Sequence, residues 1–186
     1  PVGPLAGGGG SEVVVKGDTF DGAVLATLAF VAAHQLSTVA PAASTGLAGI
    51  EFASVALVLL AYRRDALAEP LAGSGFLVPR VEGRLVTACS WSSSKWAHLS
   101  GGDSVVLRAS AGRIGDERAM ALSDDELVAR VHDELAQAMG LRAAPVDHEV
   151  VRWARAFPQY EPGHLARITA IEDELARAAP RVALAG

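Results

Sequence analysis

Apolar runs of strand length dominate the chain, and only a few stretches carry helical spacing. Residues 52–62 are almost all apolar, the pattern of a central strand buried on both faces. Shorter β-leaning runs at 76–79, 85–90 and 104–110 predict further strands. A polar turn with Arg80, Glu82, Gly83 and Arg84 joins the first two of these as a hairpin. A loop carrying Gly112 and Gly115 follows. The clearest helix is 123–139. Ser123 and Glu126 make a capping box, Asp124 and Asp125 suit the positive N-terminal end, and Gly140 stops it. Leu127, Val128, Val131, Leu135 and Met139 recur along it at helical spacing.

On the N-terminal side, residues 1–10 read as a Gly/Pro-rich flexible lead and 11–16 as a short β run. Gly17 and Asp18 are expected to turn the chain before Phe20, 21–27 to form a buried strand, and 30–39 a helix stopped by Pro41. On the C-terminal side, 148–153 predicts a strand, 165–179 a helix ended by Pro180, and 181–186 the start of another strand. No internal repeat is present. Together these elements predict an α+β fold: a mostly antiparallel, mixed β-sheet flanked by α-helices rather than a βαβ series.

Composition narrows the function classes. The 186 residues are 51% hydrophobic, enough for a core, and the formal charge is -5 with no basic run, which argues against a nucleic-acid partner. Cys89 is the only cysteine, so neither an intrachain disulfide nor a cysteine-based zinc site can form. The most apolar runs, 23–33 and 53–61, fall well short of the ~20 residues that span a bilayer. The first ten residues lack the basic region of a signal peptide. The expected setting is cytoplasmic.

Candidate chemistry concentrates between Gly73 and Trp96. The second hairpin strand opens into Ser92, Ser93 and Ser94, carrying Trp91, Lys95 and Trp96 with it. Aromatics, hydroxyls and one cation at the end of a strand pair suit a flat, partly anionic ligand, while tryptophans that merely pack remain the alternative. The serines read as loop residues rather than nucleophiles. The five histidines show no metal-ligand spacing, and His132 is expected on a helix surface. Glu172, Asp173 and Glu174 read as a solvated helix face.

The ordered motifs also resemble a known family. Gly73-x-Gly75-Phe76-Leu77-Val78-Pro79 is followed by Thr87-Ala88-Cys89-Ser90-Trp91-Ser92-Ser93-Ser94-Lys95-Trp96 and His98. Leu107-Arg108-Ala109, Gly112, Gly115-Asp116-Glu117 and Leu122-Ser123-Asp124 come next. Arg152-Trp153, Phe157-Pro158-Gln159-Tyr160 and Gly163-His164 complete the series. The set is similar to the protoporphyrinogen/coproporphyrinogen oxidases of the flavin amine oxidase superfamily and covers roughly residues 12 to 186.

The resemblance implies an oxygen-dependent, FAD-linked oxidation of coproporphyrinogen III or protoporphyrinogen IX to the porphyrin in haem biosynthesis, with flavin carrying the redox step. It places Trp91 against the tetrapyrrole, Gly73, Gly75, Phe76 and Leu77 along the same wall, and Lys95 near a propionate. Trp153 is placed beside the flavin. It implies that 11–45 belongs to the flavin-binding domain, 46–180 to the substrate-binding domain, and 181–186 to a return strand. The fingerprint G-x-G-x-x-G is absent, as is the family's C-terminal glycine-rich segment. The chain alone is therefore expected to be inactive, with the missing flavin-binding segments or another chain as partner beside the porphyrinogen. Whether these residues by themselves constitute an enzyme stays open, as does peripheral contact with a membrane. A non-catalytic tetrapyrrole- or partner-binding module and another flavin amine oxidase are the alternative readings.

Overall fold

The computed structural model describes residues 5–7, 12–99 and 102–185. In chain order these form β1 (Ala6–Gly7), β2 (Val13–Val15), β3 (Asp18–Phe20), β4 (Ala23–Leu25), α1 (Ala29–Leu36) and α2 (Pro41–Ala48). Then come β5 (Phe52–Arg63), β6 (Gly75–Leu77), β7 (Val86–Trp91), α3 (Ser92–Lys95) and β8 (Ser104–Ala111). The chain continues through α4 (Arg118–Ala121), α5 (Asp124–Met139), β9 (Asp147–Pro158), α6 (His164–Ala178) and β10 (Val182–Leu184). Most of the expected lead at 1–10, and Ser11 of the first β run, lie outside the described residues. Two units emerge: one over the described parts of Pro1–Glu51 and Pro158–Gly186, the other over those of Phe52–Phe157.

In the first unit, β1, β2 and β3 form a small antiparallel sheet in that order. The turn between β2 and β3 falls on Lys16 and Gly17, both at positive φ, so Asp18 pairs with Val15 instead of turning. The buried strand expected at 21–27 is only β4, which pairs in parallel with β10 and leaves Val24 67% exposed. The helix expected at 30–39 is α1, which already ends at Leu36, and Pro41 instead opens α2 at the first helical position. There its missing N–H has no intrahelical acceptor to forfeit, which explains how a helix follows the residue expected only to stop one. The Ser44 hydroxyl donates to the Ala33 carbonyl at 2.7 Å and ties α2 to α1. Where α2 passes α6, a Cβ on Gly46 would stand 2.6 Å from the Ile171 side chain, so the close approach requires glycine.

The second unit is a five-stranded sheet in the order β6-β7-β8-β5-β9. β5 and β8 pair antiparallel from Ala56↔Ala111 to Arg63↔Ser104, and β7 pairs antiparallel with both β8 and β6. β5 is flanked on both sides, and Ala56, Val58, Leu60 and Tyr62 along it are fully buried. The helical stripe of α5 (Leu127, Val128, Val131 and Leu135) joins them in one core with Leu107 and Ala109 of β8. Burying each large aliphatic side chain contributes roughly 1.5–3 kcal/mol, so this contact is what fixes α5 on the sheet. The predicted capping box is present: Glu126 donates its N–H to the Ser123 hydroxyl, and the Ser123 N–H donates to the Glu126 carboxylate.

β9 runs five residues beyond the predicted 148–153. His132 departs from its expected surface position: it is half-buried, and its Nδ1 meets the Tyr62 hydroxyl at 3.0 Å. An apolar sheet face is disrupted least if a buried phenol finds such a partner. The α+β class and the mostly antiparallel main sheet are as the apolar pattern predicts.

Candidate functional site

The predicted hairpin forms with Gly75 opposite Ser90, Phe76 opposite Cys89 and Leu77 opposite Ala88. Its tip is a single 3-10 turn over Arg80–Glu82, closed by left-handed Gly83. At the other end, the Trp91 N–H donates to the Ser74 carbonyl at 3.0 Å. Gly75 has a structural reason to be glycine: its φ is +142°, and a Cβ there would run into the Cys89 carbonyl of the paired strand.

Trp91 ends β7 and is half-buried against the core. Its ring lies beside Gly73, where an added Cβ would meet Cζ3 at 3.4 Å. The indole Nε1 is buried and finds no acceptor among the described residues. Such a donor costs on the order of 1–3 kcal/mol when left unpaired. The expected serine loop is instead the short helix α3. Ser92 and Ser93 are buried, and the Ser93 hydroxyl accepts the Val106 N–H at 2.8 Å, which locks the turn onto β8. Trp91 is the residue before α3 and Lys95 its last, one helical turn apart. Lys95 is exposed and holds no partner among the described residues. Trp96, 54% exposed, tilts against His98 at 6.4 Å.

The other predicted residues go elsewhere. Phe76 and Leu77 line a groove of about 200 Å³ against α5, shared with Glu134, Leu135 and Ala138. Leu77 is 81% exposed. Trp153 stands on β9 and is 50% exposed. A cavity of about 300 Å³ does open beside α3, but its walls are Ser93, Ser94, Val105 and the segment from Arg64 to Leu71, with none of the predicted contacts. Gly73, Trp91 and Lys95 therefore share one end of the hairpin, Phe76 and the exposed Leu77 border the groove beside α5, and Trp153 is apart.

Several polar arrangements were not foreseen. The Glu134 carboxylate accepts the backbone N–H groups of Leu85 and Val86, each at 2.9 Å, and pins the start of β7 to α5. An acidic residue on the apolar side of an amphipathic helix was the available signal. Cys89 is buried and its thiol is pushed up to about 12 by burial, so it is an inert core residue rather than a nucleophile. Tyr62 is raised too, first by burial and then by the nearby Cys89. Arg152 reaches across to the Asp124 carboxylate and donates to the Leu122 carbonyl at 2.8 Å, tying β9 to the head of α5. Among the described residues, no helix is long and apolar enough to cross a membrane.

Comparison with known proteins agrees with the motif order. Coproporphyrinogen III oxidase of Bacillus subtilis (strain 168) is 33% identical over 172 residues, 92% of this chain and 36% of that protein. Coproporphyrinogen III oxidase of Mycobacterium tuberculosis (strain ATCC 25618 / H37Rv) is 38% identical over 166 residues, 89% of this chain and 35% of its own length. A solved structure from Exiguobacterium sp. 255-15, assigned as a protoporphyrinogen oxidase, superposes with a TM-score of 0.82 at 26% identity, covering 100% of this chain and 41% of that one. The chain thus spans about a third of the length of these curated relatives. Residues 6–186 match the description flavin containing amine oxidoreductase, and the chain belongs to that family.

Proposed function

We propose that this chain is the substrate-binding portion of an oxygen-dependent, FAD-linked porphyrinogen oxidase of haem biosynthesis, with coproporphyrinogen III as the preferred substrate. Residues 46–180 form the substrate-binding part in this reading, and 11–45 with 181–186 belong to the flavin side. The observation that carries it is the likeness to coproporphyrinogen III oxidases over about nine-tenths of this chain.

Trp91 covers an apolar face of the macrocycle with the accessible part of its half-buried indole. Lys95, one helical turn on, meets a propionate as a point charge. Gly73 leaves room for the Trp91 ring, while Gly75, Phe76 and Leu77 build the wall that holds β7 in register. FAD supplies the hydride acceptor when bound. The exposed, flat indole of Trp153 suits one face of an isoalloxazine ring. The described residues fit the ring end of the cofactor and not its pyrophosphate, because the chain has no G-x-G-x-x-G turn to cradle phosphates.

The test uses the full-length protein that contains this chain. Trp91→Ala is expected to lower coproporphyrinogen turnover about tenfold, the scale of one aromatic contact, with flavin content unchanged. Unchanged turnover overturns the stacking role.

A further inference from the structure

At the tip of the hairpin, far from Trp91, four of the chain's sixteen basic residues line one open pocket of about 400 Å³. Arg80 and Arg84 come from the turn between β6 and β7. Arg113 comes from the loop that follows β8, and Arg118 opens α4. Asp116 and Glu117 complete the charged lining. In a chain of net charge -5, this is a local reversal of sign.

The four guanidinium groups are not equivalent. Arg118 is committed: its Nε and Nη2 grip the Asp116 carboxylate at 2.9 and 2.8 Å, and Nη2 also donates to the Gly83 carbonyl at 3.2 Å. The side-chain hydrogen bond from Arg118 holds Asp116 down to about 2, so that pair stays ionised and mutually neutralised. The other three have no carboxylate. Arg84 donates to the Gln137 side-chain oxygen at 3.1 Å. Arg113 reaches only the Arg84 carbonyl, at 3.5 Å, and its Nε is buried with no acceptor. Arg80 makes no hydrogen bond or ion pair among the described residues, and its Nη2 lies 3.5 Å from where a Cβ on Gly115 would stand. Arg113 and Arg118 each bring Nη2 to 3.5 Å from the same Arg84 carbonyl, so two guanidinium groups converge where Asp116 is the one carboxylate hydrogen-bonded to either. Arg80, Arg84 and Arg113 against Glu117 leave a net charge of about +2.

We infer that this pocket binds a phosphate dianion, either inorganic phosphate or a phosphate monoester. Guanidinium forks are matched to phosphate and carboxylate oxygens. A planar carboxylate saturates with one fork. A tetrahedral dianion offers an oxygen to each of three forks arriving from two separate loops, and its charge equals the local excess. The pocket is independent of the porphyrinogen reading: Arg84 and Trp91 are seven residues apart along the same strand direction, about 20 Å.

The experiment is calorimetric titration of the full chain with sodium phosphate, glycerol 2-phosphate and citrate in turn, at matched ionic strength in a phosphate-free buffer. Both phosphates are expected to saturate one site, and binding is expected to weaken with added salt. Glycerol 2-phosphate binding more tightly than inorganic phosphate identifies the monoester as the source, and the reverse order identifies the free ion. Arg80→Gln and Arg113→Gln should each weaken phosphate at least about tenfold, while Arg130→Gln on exposed α5 surface leaves it unchanged. Circular dichroism checks that the variants fold. If Arg113→Gln does not, Arg80→Gln decides alone, because Arg80 holds nothing in the fold. The inference is overturned if the chain shows no saturable phosphate heat, if Arg80→Gln binds as well as the unaltered chain, or if citrate binds more tightly than both phosphates.

Discussion

β5 and β9 are both twelve residues long and are neighbours in the same sheet, yet they are built for opposite ends. β5 presents Ala56, Val58, Leu60 and Tyr62 to the core with no accessible surface between them. β9 has no residue of the buried class anywhere along its length and leaves Trp153 half exposed. The difference teaches where stability and recognition reside. Side chains of β5 hold α5 on the sheet, whereas β9 leaves the Trp153 indole half exposed.

The strongest way to break that contrast is to create a cavity in β5. Leu60→Ala is expected to cost about 2–5 kcal/mol, because a fully buried leucine loses both its transfer term and its packing. Urea unfolding measures it. The same variant should expose the Cys89 thiol to alkylation, since Cys89 belongs to the core that Leu60 fills and is otherwise shielded and held at about 12. A loss below 1 kcal/mol would mean that β5 is not the spine of this unit.

A smaller change tests what fastens β9. Beyond its pairing with β5, one side-chain anchor is Arg152, which pairs with Asp124 and donates to the Leu122 carbonyl. Arg152→Ala removes both and should cost about 1–2 kcal/mol, a charged hydrogen bond discounted for an exposed carboxylate partner. Amide hydrogen exchange then distinguishes the strands. Protection should fall along β9 and at the head of α5 while the centre of β5 stays protected.

Much of this unit is legible in the sequence because its signals are local. The capping box at Ser123, the helical stripe of α5 and the apolar run of β5 each state their structure within a few residues. The hairpin is equally plain, as two β runs around Arg80 to Arg84. What escaped depends on distant partners. α2 was hidden because Pro41 reads as a stop yet is a start, and its sequence carries a weak apolar pattern. His132 appeared to be a surface residue until the fold brought Tyr62 to it across 70 positions. The candidate site shows the same limit. Trp91 and Lys95 share a helical turn that spacing can reveal, but the assignment of Phe76 and Leu77 to the groove against α5 is a property of the sheet, not of the motif. The arginine pocket escaped for a related reason: its two pairs are separated in sequence by two entire strands, β7 and β8.

The mildest substitution sharpens the comparison most. Trp153→Ala removes a large side chain, and by volume alone it should rival Leu60→Ala. Its indole is half exposed, however, so little apolar surface returns to water and no closed cavity forms. The expected stability change is below about 1 kcal/mol by urea unfolding. In the full-length protein the same substitution should alter the flavin absorbance spectrum, because Trp153 is the proposed contact for the isoalloxazine ring. A large stability loss would make Trp153 a packing residue like those of β5. A stable variant with an unchanged flavin spectrum would remove it from the cofactor side altogether, and only the combination of intact fold and altered spectrum leaves β9 as the strand turned towards the flavin.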